Sequence, residues 1–164
     1  MPAEPRGSRQ TCAADGPARP ALELQWYREG LRFACVPGCG NCCSGHGVVR
    51  VDLDEIDVLA AGLGMERADF ARRYVRSLGD DGWSLTDQGP HGDCIFLQPD
   101  KSCRVYAHRP RQCRTWPFWV SNLVSRKAWE ASAERCPGMN QGPTHPAEEA
   151  ERIATTPLAA GCDP

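Results

Sequence analysis

Ten cysteines in 164 residues constrain this chain more than any other feature, and eight of them lie between positions 35 and 136. The densest run is Cys35-Val36-Pro37-Gly38-Cys39-Gly40-Asn41-Cys42-Cys43. A cysteine pair two residues apart around Gly or Asn forms a knuckle that aims two thiolates at one ion. Gly38 and Gly40 let the backbone bend tightly. Small-residue turns also point N–H groups at the sulfurs, which favours the thiolate, and so the metal, over the proton.

Composition decides how to read that count. The hydrophobic share of 41% includes the cysteines, and 14 prolines with 16 glycines leave little regular structure. One modest core is expected, with cysteine chemistry helping to hold the fold. A formal charge of −2 offers no general pull toward nucleic acid or an anionic membrane. No apolar run approaches the roughly 20 residues of a membrane span, and the N-terminus, with Pro2, Pro5, Arg6, Gly7 and Arg9, lacks a signal-peptide core. The expectation is a cytoplasmic protein with reduced, metal-binding thiols; an oxidising compartment would turn the same cysteines into a disulfide framework.

The expected fold is α+β: a small, irregular, loop-rich single domain with short strands and several helices organised around a cysteine and metal cluster. Residues 1–20 and 155–164 read as flexible tails flanking a domain at 21–154, which leaves Cys12 and Cys162 out of the site. Leu22, Leu24, Trp26, Tyr27, Leu31 and Phe33 form an apolar segment leading into the first cysteines. Val48, Val49 and Val51 read as a strand, and Asp52 with Glu55 as a capping box opening a helix with its stripe at Ile56, Leu59, Ala60 and Leu63, ended by Gly64. Phe70, Tyr74 and Leu78 predict a second helix over Arg67 to Leu78 with a solvated basic face. Short strands are expected at Trp83 to Thr86, Cys94 to Leu97 and Cys103 to Tyr106, the last two joined by a turn at 98–101. Pro110 opens a helical turn carrying Cys113, Ser125 caps a helix reaching Arg135 with Trp129 inward, and Thr144 to Ile153 form a last acidic helix.

The candidate metal ligands are Cys35, Cys39, Cys42, Cys43, Cys94, Cys103, Cys113 and Cys136. Side chains of adjacent residues diverge, so Cys42 and Cys43 are expected to serve two sites or one multinuclear cluster. Eight thiolates equal twice the four of a closed zinc site or of a cubane cluster, although one site plus free thiols uses the same count. A lone cysteine is otherwise a small buried hydrophobe. His46, three residues past Cys43, is a substitute ligand or a solvated loop residue. Arg32, Arg104, Arg109 and Arg114 stand beside cysteines in sequence, as surface charge or, for Arg109 and Arg114, as compensation for the thiolates or a grip on an anion. Trp116, Pro117, Phe118 and Trp119 form a wall or plain core.

At these residues the chain resembles the cysteine-cluster family of zinc- or iron-chelating domains often called the YkgJ family. The matching pieces are Phe33-x-Cys35 with Cys39, Cys42, Cys43 and Gly45; Cys94-Ile95-Phe96-Leu97; Cys103-x-Val105-Tyr106; Arg109-Pro110-x-x-Cys113-Arg114; Pro117-Phe118; and Cys136-Pro137-Gly138. The resemblance implies zinc or iron bound through those cysteines and a distant similarity to the cysteine-rich part of bacterial flagellin lysine methylases. It also implies, through Cys35, Cys39 and Cys42, an iron left open to a cofactor such as S-adenosylmethionine.

Three functions fit these readings. The first is a structural or redox metal module, with Cys136-Pro137 tilting the metal toward an iron–sulfur cluster. The second is an enzyme with an open coordination position, which requires a pocket the sequence does not display. The third is a zinc-dependent scaffold presenting Trp116, Phe118 and Trp119 to a protein partner.

Overall fold

The computed structural model describes residues 26–156. Leu22, Leu24, Cys12, Cys162 and the expected N-terminal tail lie outside the described residues, as do residues 157–164.

The architecture is α+β, with short strands in three small antiparallel sheets and helices of four to ten residues. Its apolar side chains divide into two clusters, and the chain passes between them twice. It starts in one cluster, with Tyr27 buried and β1 (Leu31–Phe33) contributing Leu31. The cysteine run 35–43 then crosses to the other. There β2 (Arg50–Val51), α1 (Leu53–Gly62), α2 (Arg67–Tyr74), β3 (Val75–Ser77) and β4 (Trp83–Leu85) bury Val51, Ile56, Leu59, Phe70, Tyr74 and Leu85. The pair β5 (Asp87–Gln88) and β6 (Asp93–Cys94) follows, and Phe96 and Val105 complete this cluster. A 3-10 turn at Tyr106–His108 and α3 (Arg111–Thr115) lead back. Finally α4 (Val120–Leu123), α5 (Arg126–Ala133), β7 (Met139–His145) and α6 (Ala147–Thr155) enclose Phe118, Leu123, Trp129, Met139 and Ala150.

Local chemistry accounts for most boundaries. Asp52 accepts from the Glu55 N–H and Glu55 from the Asp52 N–H, so the capping box forms as expected. Gly64, at φ 65°, lets the chain leave α1. The Ser125 hydroxyl accepts from the Ala128 N–H and opens α5, which buries Trp129.

Several boundaries differ from expectation, and α5 ends at Ala133 rather than reaching Arg135. The helix through Tyr74 stops there because Val75, Arg76 and Ser77 pair with Leu85, Ser84 and Trp83 as β3, so Leu78 does not continue the stripe. The valine-rich strand contracts to Arg50–Val51. The two cysteine strands shrink to β6 and one Leu97–Cys103 bridge, because the Leu97 N–H turns back to the Cys94 carbonyl at 2.9 Å and the Tyr106 N–H to Cys103 at 3.2 Å. Thr144 and His145 belong to β7, since Pro146 forces extended backbone before it and α6 begins only at Ala147.

The start of the cysteine run is tied to the segment carrying Cys136 where β1 meets β7. The Ala34 N–H donates to the Gly138 carbonyl at 3.1 Å, which sets Cys35 and Cys136 just beyond the ends of these neighbouring strands. A Cβ on Gly138 would collide with the Ala34 carbonyl oxygen. Gly138→Ala is therefore expected to lower stability by about 1–3 kcal/mol through overpacking against backbone, measured by urea denaturation; an unchanged midpoint would contradict this contact.

Candidate metal centre

The cysteine run is shaped by a 3-10 turn at Asn41–Cys43, entered through Gly40 at φ 62°. A side chain at Gly40 would stand 2.9 Å from the Lys101 carbonyl and 3.0 Å from the Leu97 side chain, so glycine lets the run lie against the 98–101 turn. That turn separates Cys94 from Cys103. Asn41 anchors the other side by donating to the Arg135 carbonyl at 2.9 Å, just before Cys136.

The result is a gathering of sulfur. Cys35, Cys39, Cys42, Cys43, Cys94, Cys103 and Cys113 all line one cavity of about 320 Å³. Cys42, Cys43, Cys94 and Cys113 also line an adjoining cavity of about 400 Å³, where Cys136 stands. All eight thiols are free rather than paired in disulfides. Cys94 and Cys103 pack against one apolar cluster and Cys136 against the other, so the sulfurs occupy the seam between them.

The expected divergence of Cys42 and Cys43 is not what the turn produces. Their sulfurs lie 3.8 Å apart. A tetrahedral ion with metal–sulfur bonds of about 2.3 Å has an edge of about 3.8 Å, so these neighbours are spaced to bind one ion. The tight 3-10 turn brings the side chains together where an extended strand would separate them.

Electrostatics singles out Cys43. Its sulfur lies 3.8 Å from that of Cys42, and coupling to Cys103, Cys42 and Cys94 pushes its own pKa up and pulls theirs down. Cys42 is held down to about 6 and Cys103 to about 7, in each case first by the Cys43 thiol. The backbone N–H groups of Phe96 and Val105 also stabilise the Cys94 and Cys103 thiolates. Burial pushes Cys113 up to about 12, with further repulsion from Cys94, Cys42 and Cys103. Loss of water raises Cys35, against a hydrogen bond from the Tyr106 side chain that lowers it.

Among the described residues no group of three or more His, Cys, Asp or Glu side chains is already arranged to hold an ion.

Several residues position the site through contacts between distant segments, and of these Gln112 is not singled out in the sequence. Gln112 accepts from the Arg50 N–H at 2.9 Å and donates to the Val48 carbonyl at 2.8 Å, which fixes α3 and its Cys113 beside β2. Glu55 reaches past its own helix to accept from the Arg111 N–H. Arg109 places its guanidinium 3.6 Å over the Tyr106 ring and donates to the Tyr106 carbonyl, holding a cation at the cavity wall. Trp116 donates its indole N–H to the Cys136 sulfur at 3.4 Å.

Among the four candidate arginines, Arg109 faces the sulfur cavity. Arg114 is exposed, one residue and about 100° around α3 from Cys113, and Arg104 is exposed as well. Arg32 donates to the Gly142 carbonyl beside β7. His46 is exposed at the adjoining cavity, its ring against Gly92, and not in the cavity of the seven sulfurs. Phe118 is buried at 3% exposure and Trp116 and Trp119 are half-buried, so these three form wall and core rather than the exposed patch a scaffold would present.

The chain belongs to the CxxCxxCC family, described as "Putative zinc- or iron-chelating domain", whose model matches residues 34–137 and so spans all eight cysteines. It is similar to a protein of Methanocaldococcus jannaschii named "Uncharacterized protein MJ0661", at 35% identity over 100 residues, covering 60% of this chain and 52% of that protein. The chain therefore spans about half the length of that relative. No solved structure matches. Among the described residues, no helix is long and apolar enough to cross a membrane.

Alkylation of a cysteine needs its thiolate, so each rate should fall as pH drops through the group's pKa. In reduced, metal-free protein, Cys42 should label with a midpoint near pH 6 and Cys103 near 7, both well below the about 8.5 of an ordinary thiol, while Cys113 stays unlabelled at pH 9. Peptide mass mapping after iodoacetamide pulses reads this directly; a common midpoint near 8.5 would contradict this coupling.

Proposed function

We propose that this protein binds zinc or iron through its cysteine thiolates in a reducing cytoplasm, as a structural or redox metal module. The observation that carries the reading is the Cys43 sulfur, in reach of Cys42, Cys94 and Cys103 and spaced from Cys42 like the edge of a metal–thiolate tetrahedron. Those four sulfurs form the primary ligand set. Cys35, Cys39 and Cys113 share their cavity, and Cys136 stands across the adjoining one.

These residues fit such a group chemically. Four of the sulfurs already lean toward or share the thiolate form, backbone N–H groups face two of them, and Arg109 offsets their charge. A bound ion would supply the cross-link between the two apolar clusters and, if iron, an electron-transfer centre.

An iron–sulfur cluster is the second reading, favoured by the size of the sulfur-lined cavity, about 320 Å³, which exceeds what one ion needs. Colour and acid-labile sulfide separate the two: a brown, sulfide-containing protein for a cluster, a colourless one for zinc.

The test is metal analysis of protein purified reduced and without oxygen. Wild type should carry zinc or iron. Cys43→Ala should lose most of it and melt at a lower temperature, because one ligand and the contact among three others go together. Metal content and melting equal to wild type in that variant would overturn the proposal.

A further inference from the structure

We propose that the cavity adjoining the sulfurs is a binding site for a small organic carboxylate with a flat apolar body, held by Arg135 and by the Trp116 and Trp119 rings. This goes beyond the metal-binding reading and does not depend on it, because the groups that would hold the ligand are not cysteines.

The cavity encloses about 400 Å³, inside the range of roughly 300–1,000 Å³ that small-molecule sites occupy. Its walls are fastened by contacts between distant segments. The Gly45 N–H donates to the Asp93 carboxylate at 2.8 Å, which ties the loop after the cysteine run to β6. A side chain on Gly92 would collide with the His46 ring, so glycine there leaves the notch that seats His46 at the cavity. On another side, the two hydrogen bonds of Gln112 hold α3 against β2.

The aromatic wall offers surface rather than hydrogen bonds. Trp116 and Trp119 stand edge to face, with centroids 4.8 Å apart. Both indole N–H groups are already engaged, one by the Cys136 sulfur and the other by the Gln112 carbonyl and the Thr115 hydroxyl. Val48, 39% exposed, and Val49 add apolar lining. A flat apolar group laid against these side chains would remove that surface from water.

Charge selects the sign of the polar end. Among the described residues the lining holds one carboxylate, Asp87, and Arg76 already pairs with it at 3.1 Å. Arg135 lines the same cavity, is exposed, and has a guanidinium in no hydrogen bond or ion pair among the described residues. A free guanidinium matches a carboxylate with two parallel N–H donors. The His46 imidazole, also without a hydrogen bond among the described residues, can add a third N–H.

The probe is phenylacetate, titrated into reduced full-length protein as purified, with calorimetry as the readout. Acetate, which lacks the apolar body, and phenethylamine, which reverses the charge, are the comparisons. Phenylacetate should bind saturably, and both comparisons about tenfold or more weakly. Arg135→Gln should weaken phenylacetate about tenfold, the loss of one charge-assisted contact. Ala131→Phe, at an exposed position of α5 on the cavity lining, should block binding. Both variants should keep the metal content and melting temperature of wild type, which separates this test from that of the metal centre. Absence of saturable phenylacetate binding, equal or tighter binding of phenethylamine, or undiminished affinity in Arg135→Gln would overturn the proposal.

Discussion

The structure depends on bringing negatively inclined sulfurs close together at the seam of two small apolar clusters. Neither cluster is large: one is built on Phe70, Tyr74 and Phe96, the other on Tyr27, Phe118 and Trp129. Like charges at such spacing repel, and Cys43 is pushed up by its coupling to Cys103, Cys42 and Cys94. A bound cation would offset that repulsion. The ion would then join the two clusters through their cysteines.

The chain path serves this geometry. Both passages between the clusters carry cysteines, Cys35 to Cys43 on the way out and Cys113 on the way back, so a cation bound by them would also fasten both crossings. Cys94 and Cys103 approach from one cluster, across a turn that Gly40 allows the knuckle to touch. The hydrogen bonds of Gln112, Glu55 and Asn41 tie the cysteine-bearing segments to their neighbours. Small proteins whose cores are thin commonly rely on such coordinate cross-links.

Much of this was legible from residues alone, because the strongest signals are local. The Asp52 and Glu55 capping box, the Ser125 cap, Pro110 ahead of Cys113 and the knuckle glycines all act within a few residues. What was not legible depends on distant partners. Val75 to Ser77 have a helical pattern in sequence and become strand because Trp83 to Leu85 are there to pair with them. The spacing of Cys42 and Cys43 follows from a 3-10 turn that periodicity does not announce. Arg109 and Arg114 look alike beside their cysteines; only the stacking of Arg109 on Tyr106 and the rotation of α3 separate them. Gln112 carries no motif, and its role exists only against the backbone of β2.

X-ray absorption spectroscopy of the metal in purified protein tests the central claim most directly. The account predicts a first shell made of sulfur, with about four neighbours at about 2.3 Å for zinc or iron. A first shell dominated by oxygen or nitrogen would contradict it.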